Sequence, residues 1–492
     1  MNDQQAAVAA ARAHRAENGP AVIAEFVELL ALPNVSRQLD DVGRVADHIV
    51  AMLSARGVDA RTVGRPGAGP VVVGRFEVPG STQTIGIYAH YDGQPIDQPD
   101  WGVEPFKPSL FSGPLGGDGV ELPLPIDGEP VDPEWRLYAR SAADDKAPLV
   151  AICAALDAMR GAGIAPRANL IFLFEGEEEI GSPHLPQYLS ELQDELAADV
   201  WLICDGPVHQ TRRPQIVFGV RGISEMEITV LGPNRPLHSG HYGNWAPNPN
   251  MELVQLLASM KDSDGNVLIE NFYAGTQPTT EADKAAVALL PDDDDSLRLE
   301  LGLSETEDGG AALALRLLLP SLNVRGLDGG AVGERAANVI PTQATASIDI
   351  RLAPGNNPDE MMDRVEGHIR SSGWHIVDSG PGDDTRSGTG KLVMITRKAS
   401  YPGVRMPMDS PLAASLLAAA EVAAGEPVVA VPTFGGSVPL HYFKTILNAP
   451  IAITPFANHD NNQHAANENI RIANLWYGID LMAALMTMEL SS

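Results

Sequence analysis

Phe174-Glu175-Gly176-Glu177-Glu178-Glu179-Ile180-Gly181-Ser182 continues directly from the apolar run Leu170-Ile171-Phe172-Leu173-Phe174. A run so short and so apolar predicts a buried strand of a parallel sheet. Carboxylates at the C-terminal end of such a strand stand where open α/β sheets keep their ligands. Neighbouring carboxylates repel, so the cluster is costly unless a cation or a proton-transfer task compensates it. Taken alone, the stretch reads equally as an acidic loop on an acidic surface. Its surroundings decide between the two.

On the C-terminal side, His184 to Ala198 reads as a helix, and Val200-Trp201-Leu202-Ile203-Cys204 reads as another buried strand that ends at Asp205. On the N-terminal side, the strand-like Ile85–Tyr88 runs straight into Ala89-His90-Tyr91-Asp92-Gly93-Gln94-Pro95, and Arg140 to Pro148 opens a helix over Leu149–Arg160. Strand and helix in alternation are the grammar of a doubly wound sheet. Before them come a helical stretch from Gln4 to Leu32 broken at Gly19-Pro20, an amphipathic helix over Asp41–Arg56 and a strand at Val71–Phe76. The Gly/Pro-rich segment Pro108–Pro133 is too long for a simple connection and belongs to the expected substrate surroundings.

The pattern changes near Arg221. Ile223–Val230 and Ala344–Arg351 alternate apolar with polar residues, as half-exposed antiparallel strands do, and Pro358–Ser371 reads as a helix. These features predict a smaller α+β domain inserted into the first. The expected division is 1–220, 221–400 and 401–492, the last returning to α/β grammar with helices at Pro411–Ala424 and Ile472–Met488. Inside the insertion, Pro291-Asp292-Asp293-Asp294-Asp295 and Glu305-Thr306-Glu307-Asp308 flank an acidic helical segment, read as a solvated loop or helix cap.

With 492 residues the chain has room for two or three domains. A formal net charge of −30 argues against nucleic acid or an anionic membrane as partner. Only two cysteines, Cys153 and Cys204, occur, both in apolar runs, which fits a reducing compartment without disulfides. The first residues lack the basic flank and apolar core of a signal peptide, and no apolar run nears the roughly 20 residues of a membrane span. The expected location is the cytoplasm.

Five strand ends or loops offer ligands: His90, Asp144, Glu179, Asp205 and His464. Two imidazoles with three carboxylates suit a pair of divalent ions, zinc first and manganese or cobalt as alternatives. One bridging carboxylate can hold two such ions about 3.5–4 Å apart for hydrolysis. Glu178 is placed to act as general base on a water between them, and Asp92 to hydrogen-bond the far nitrogen of His90. Each signal alone is common: a His-x-Asp is often a satisfied polar pair, and Asp144-Asp145-Lys146 could be a helix N-cap.

Their order resembles the co-catalytic zinc exopeptidase family of carnosinases and cytosolic dipeptidases, aminoacylases, glutamate carboxypeptidases and succinyl-diaminopimelate desuccinylases. The resemblance rests on His90-Tyr91-Asp92-Gly93-Gln94-Pro95, on Ala139 to Ala147, on Glu175 to Ser182, and on Cys204-Asp205. It continues through Leu237-His238-Ser239-Gly240, Asn338-Val339-Ile340-Pro341, Arg351, Gly435-Gly436-Ser437 and His464-Ala465-Ala466-Asn467-Glu468. It implies one ion on His90 and Asp205, a second on Glu179 and His464, and Asp144 bridging, with a cis peptide between Asp144 and Asp145. It also implies a lid that pairs two subunits, with His238 reaching the partner's site to polarise the scissile carbonyl. Asn338, Arg351, Gly435, Gly436 and Ser437 would hold the substrate carboxylate. Two family glycines are replaced here, by Ser141 and Ala147, which predicts a slightly reshaped loop.

The resulting expectation is a homodimeric two-metal hydrolase of small dipeptides. N-acyl amino acids or other small amides are the alternative substrates, and a catalytically silent binding protein is the remaining rival.

Overall fold

Register explains why the acidic loops converge. In the computed structural model the strand Asn169–Glu175 pairs in parallel with Thr84–His90, so that His90 lies opposite Glu175, and Thr84–His90 pairs in parallel with Val200–Ile203. Three chain segments therefore leave one edge of the sheet side by side, carrying His90, the glutamates and Asp205. The structure describes residues 2–491 except 127, 292–293, 379–387, 389, 437 and 439, and omits the side chain of residue 308. Ser437, Asp292 and Asp293 thus lie outside the described residues.

The sheet has eight strands, and it is mixed rather than wholly parallel. Asn169–Glu175 has an antiparallel neighbour, Val71–Phe76, on its other side. Every residue of Asn169–Glu175 is buried, because helices cover both faces. On one face, Asp3–Leu30, Ala147–Gly161, Pro411–Ala424 and Ile472–Met486 pack on one another and on the sheet. The first of these bends at Asn18, one residue before the expected Gly19-Pro20 break. On the other face lie the short helices Leu185–Glu191 and His441–Thr445. The helix expected over His184–Ala198 is shorter: Leu192 and Leu196 are buried from a run of turns, which meets the apolar spacing without a regular helix.

At Gly219–Val220 the chain crosses into a second sheet, and it returns at Val404–Arg405; the two crossings pair antiparallel. The second sheet is ordered Ser321–Asp328, Gln343–Leu352, Gly222–Leu231, Leu392–Tyr401, His375–Val377. Met226, Ile228 and Val230 face inward, as the alternation predicts, against helices Pro249–Ala258 and Pro358–Ser371. Ser321–Asp328 is an edge strand and is largely exposed. The long segment after Pro108 is partly ordered into a four-stranded sheet with Arg136–Tyr138 and Asn469–Arg471, the strands bordering the loops of Asp144 and His464. The acidic segment contributes a helix at Asp294–Glu300. Among the described residues no helix is long and apolar enough to cross a membrane.

Candidate active site

The five expected ligands meet. His90, Asp144 and Asp205 form one group and Asp144, Glu179 and His464 a second, the donor atoms of each lying within 4.8 Å of one another. Asp144 belongs to both: its Oδ1 is 2.9 Å from His90 Nε2, and its Oδ2 is 3.0 Å from His464 Nε2. His464 Nε2 also lies 3.1 Å from Glu179 Oε2. The peptide between Asp144 and Asp145 is cis.

Each side chain is held by local structure. Asp144 does not cap the following helix, whose N-cap position is Lys146 with no side-chain capping bond. Glu178 and Glu179 occupy a single 3₁₀ turn closed by Gly181 at φ 86°. Asp92 accepts the backbone N–H groups of Glu178 (3.1 Å) and Glu179 (3.2 Å) while its Oδ1 sits 3.3 Å from His90 Nδ1. One carboxylate thereby orients a ring and a glutamate turn together. Gly176 makes the sharp departure from the strand possible, since a Cβ there would lie 2.7 Å from the Tyr91 hydroxyl. Glu177 points away, accepting from Gly69 N–H (2.8 Å) and facing His184 Nδ1 at 2.8 Å.

The loop before Asp144 hangs on Glu468. Its carboxylate accepts the N–H groups of Ser141, Ala143 and Asp144 at 2.9–3.0 Å and Arg140 Nη1 at 2.8 Å, all buried. Ser141, where the family has glycine, takes the left-handed backbone at φ 63°, its N–H bonded to Glu468 and its hydroxyl 2.8 Å from Asn34 Nδ2. Glu468→Gln is expected to cost on the order of 3 kcal/mol, because it leaves the Arg140 guanidinium buried without its counter-charge. Chemical denaturation of the two proteins measures this; equal midpoints would remove Glu468 as the anchor.

Lys146, fully buried, donates to Leu29 O (3.0 Å) and Leu32 O (2.8 Å) at the C-terminal end of the first long helix, where a cation is favoured. Burial pushes its ammonium down to about 7.

The electrostatics point to cations. His464 is raised to about 10 by its hydrogen bonds with Asp144 and Glu179. His90 rises despite burial, through Asp144 and Asp92. Burial, aided by the charge of Asp144, lifts Asp205 to about 6. Glu178 is also pushed well above the usual carboxylate range, first by burial and then by Asp205, Asp144 and Glu179. Asp144, Glu179 and Asp205 with two imidazoles are a donor set that divalent ions fit, and Glu178 stands beside it.

The remaining expected residues are placed elsewhere. His238 ends the short strand Leu237–His238 and Asn338 immediately precedes its partner strand Val339–Ile340, both residues exposed. No hydrogen bond or ion pair joins them to the five ligands among the described residues. Arg351 lies on the lid strand Gln343–Leu352, its Nε 3.2 Å from Asp349 Oδ2. Gly435 and Gly436 follow Phe434, which bridges Val220 where the chain passes between the two sheets.

Sequence reading did not find His441 and Tyr401. Their rings stack at 5.5 Å and 6° where the lid meets the catalytic sheet, and the Tyr401 hydroxyl feels the charges of both Arg351 and Glu178. Neither lies in a motif, so no local signal marks them. Burial without a partner for Nδ1 pushes His441 down to about 4. The neutral ring is favoured in the fold, so this stability is present above an unfolded pKa of about 6.5 and is lost as pH falls toward 4. Between pH 7 and 4.5 the wild type is expected to lose more melting temperature than His441→Gln; parallel curves would refute the assignment.

The family model for peptidase family M20/M25/M40 matches residues 86–488, which includes every one of the five candidate ligands. The chain belongs to this family. Among curated proteins, this M20 peptidase is 27% identical over 426 residues to the Cys-Gly metallodipeptidase of Saccharomyces cerevisiae, covering 85% of this chain and 81% of the relative. It is 27% identical over 423 residues to the human Beta-Ala-His dipeptidase, covering 84% and 76%. Among solved structures, an M20 family metallo-carboxypeptidase from Sulfolobus solfataricus superposes with a TM-score of 0.74 at 25% identity, over 94% of this chain and 98% of the other. The Saccharomyces cerevisiae dipeptidase structure follows the same fold at a TM-score of 0.70 and 24% identity, over 99% and 98%.

Proposed function

We propose that this M20 peptidase is a two-metal dipeptidase, with His90, Asp144 and Asp205 holding one ion and Asp144, Glu179 and His464 the other. The observation that carries the reading is the sharing of Asp144 between two donor groups, with Glu178 Oε2 4.0 Å from His90 Nε2 and in neither group. Two borderline ligand sets of imidazole and carboxylate favour zinc, with manganese or cobalt as substitutes. When bound, such ions polarise an amide carbonyl and lower the pKa of water. Glu178 takes the proton of the attacking water and returns it to the leaving amine nitrogen. Asp92 fixes the His90 ring and the Glu178 backbone throughout. Arg351, with Gly435, Gly436 and Ser437, binds the free carboxylate of the substrate. The names of the curated relatives support dipeptides over N-acyl amino acids.

We assign residues 221–400 to a lid that pairs two copies of the chain. The exposed edge strand Ser321–Asp328 presents Val324 and Leu327, and the helix Pro249–Ala258 presents Met251 and Val254. His238 and Asn338, apart from their own cluster, then serve the partner's substrate. The buried free thiols Cys153 and Cys204 fit a cytoplasmic location.

The test is hydrolysis of α-dipeptides, a β-alanyl dipeptide, N-acetyl and N-succinyl amino acids and a tripeptide, before and after chelation and metal add-back. Metal-restored cleavage of dipeptides alone is expected. Preference for acylated amino acids would replace the substrate assignment and leave the site intact.

A further inference from the structure

His464 alone among the five candidate ligands is exposed, with 54% of its side chain open to solvent. It rides the loop between the strands Ile451–Ile453 and Asn469–Arg471. Its backbone is left-handed at φ 59°, as are those of Asn462 at 58° and Asn467 at 62°. Residues with a Cβ adopt that conformation at a cost, so such a loop keeps its shape only where contacts hold it.

The hold lies at its base. Arg136 and Arg471 stand directly opposite each other in the antiparallel pair of Arg136–Tyr138 with Asn469–Arg471, and both side chains are buried. Like charges so placed repel. Asp460 lies across them. Its carboxylate accepts from Arg136 Nη2 and, at 3.1–3.2 Å, from Arg471 Nη2, while its backbone carbonyl accepts from Arg136 Nη1 at 3.2 Å. Glu134 stands 3.5 Å from Arg471 Nε but is shared with the exposed Arg212, so Asp460 is the carboxylate that meets both opposed guanidiniums.

Two buried asparagines complete this clasp. Asn458 accepts the Arg471 N–H at 2.7 Å and donates to Asp460 Oδ1 at 3.0 Å. Asn469 accepts Arg136 Nη1 at 3.0 Å and donates to the carbonyls of Asn461 and Asn467, each at 3.2 Å. Both limbs of the loop are thus pinned to one strand pair, and the short span between them carries His464. Among the described residues, no hydrogen bond or ion pair joins Asp460, Arg136 or Arg471 to His90 or Asp205.

We propose that Asp460, closed on Arg136 and Arg471, is a positioning residue that sets the affinity of the ion held by Glu179 and His464 and leaves the ion on His90 and Asp205 nearly untouched. This rests on the two-metal reading above. A loop held in advance has already lost the conformational entropy that gathering His464 at the moment of binding would cost. Partners that orient a ligand in this way change metal affinity by about 10- to 100-fold.

The experiment titrates chelator-stripped wild type, Asp460→Asn and His464→Ala with zinc by calorimetry. The asparagine keeps the size of the side chain and removes its charge. Wild type should take two ions. Asp460→Asn should bind one as wild type does and the other about 10- to 100-fold more weakly, and His464→Ala should weaken that same ion further. Dipeptide hydrolysis by Asp460→Asn should need more metal by the same factor and approach the wild-type kcat once metal saturates. Hydrogen exchange of the metal-free wild type gives a reading that no variant can spoil. The amides of Asn469 and Arg471, bonded to Asn461 O and Asn458 Oδ1, should exchange at least about a hundredfold more slowly than free peptide. Free exchange there would overturn the clasp. Unchanged affinities in Asp460→Asn would also overturn it, whatever happens to the melting temperature, and so would equal weakening of both ions. Each of these results leaves the two-metal reading standing. A wild type that takes a single ion would overturn that reading and the clasp's role with it.

Discussion

Glu178→Gln is expected to lower kcat by about a thousandfold while the protein keeps both of its metal ions. The expectation follows from where the side chain stands. Glu178 belongs to neither donor group, yet its Oε2 is 4.0 Å from His90 Nε2, within reach of a water shared with the ligands. Its backbone N–H is bonded to Asp92, so an isosteric amide leaves the turn in place. What the amide cannot do is accept a proton. Burial and the charges of Asp205, Asp144 and Glu179 raise the proton affinity of this carboxylate, which suits a group that must hold a proton and then release it to the leaving amine. Steady-state kinetics with elemental analysis of the same sample provide the check. Activity within tenfold of wild type at full metal content would assign the proton transfer to another residue.

Asp144→Asn is expected to reduce metal content to well below one ion per chain and activity to the level of the chelated enzyme. Asp205→Asn and Glu179→Gln should each retain about one tightly held ion. The asymmetry comes from geometry: one Asp144 oxygen faces His90 and the other faces His464, so losing its charge weakens both groups. Stability offers a second reading. Ions bound a thousandfold above their dissociation constant add about 4 kcal/mol, so chelation should lower the wild-type melting temperature and leave that of Asp144→Asn unchanged. If Asp144→Asn still holds two ions, the shared-ligand reading is wrong.

Much of this site is legible without coordinates. The apolar run before Glu175 predicts a buried strand, and Asn169–Glu175 is buried throughout. The strand ends carrying His90, Asp205 and the glutamates do lie side by side. Other features are not legible. Asp92 reads as a partner for His90, but its hold on the Glu178 turn joins residues far apart in the chain. Glu468 reads as the tail of a histidine motif, and only the folded chain makes it the acceptor for the loop of Asp144.

Sequence alone pointed to the strand and helix grammar and the inserted domain, and marked the five candidate ligands and Glu178. These depend on periodicity and on residues adjacent in the chain, where apolar spacing and the cost of clustered charge act locally. Tertiary structure decided the mixed direction of the sheet, the hold of Asp92 on the glutamate turn, the anchoring of the Asp144 loop by Glu468, and the Tyr401–His441 stack. Those depend on strand order and close packing between distant segments, which no local pattern encodes.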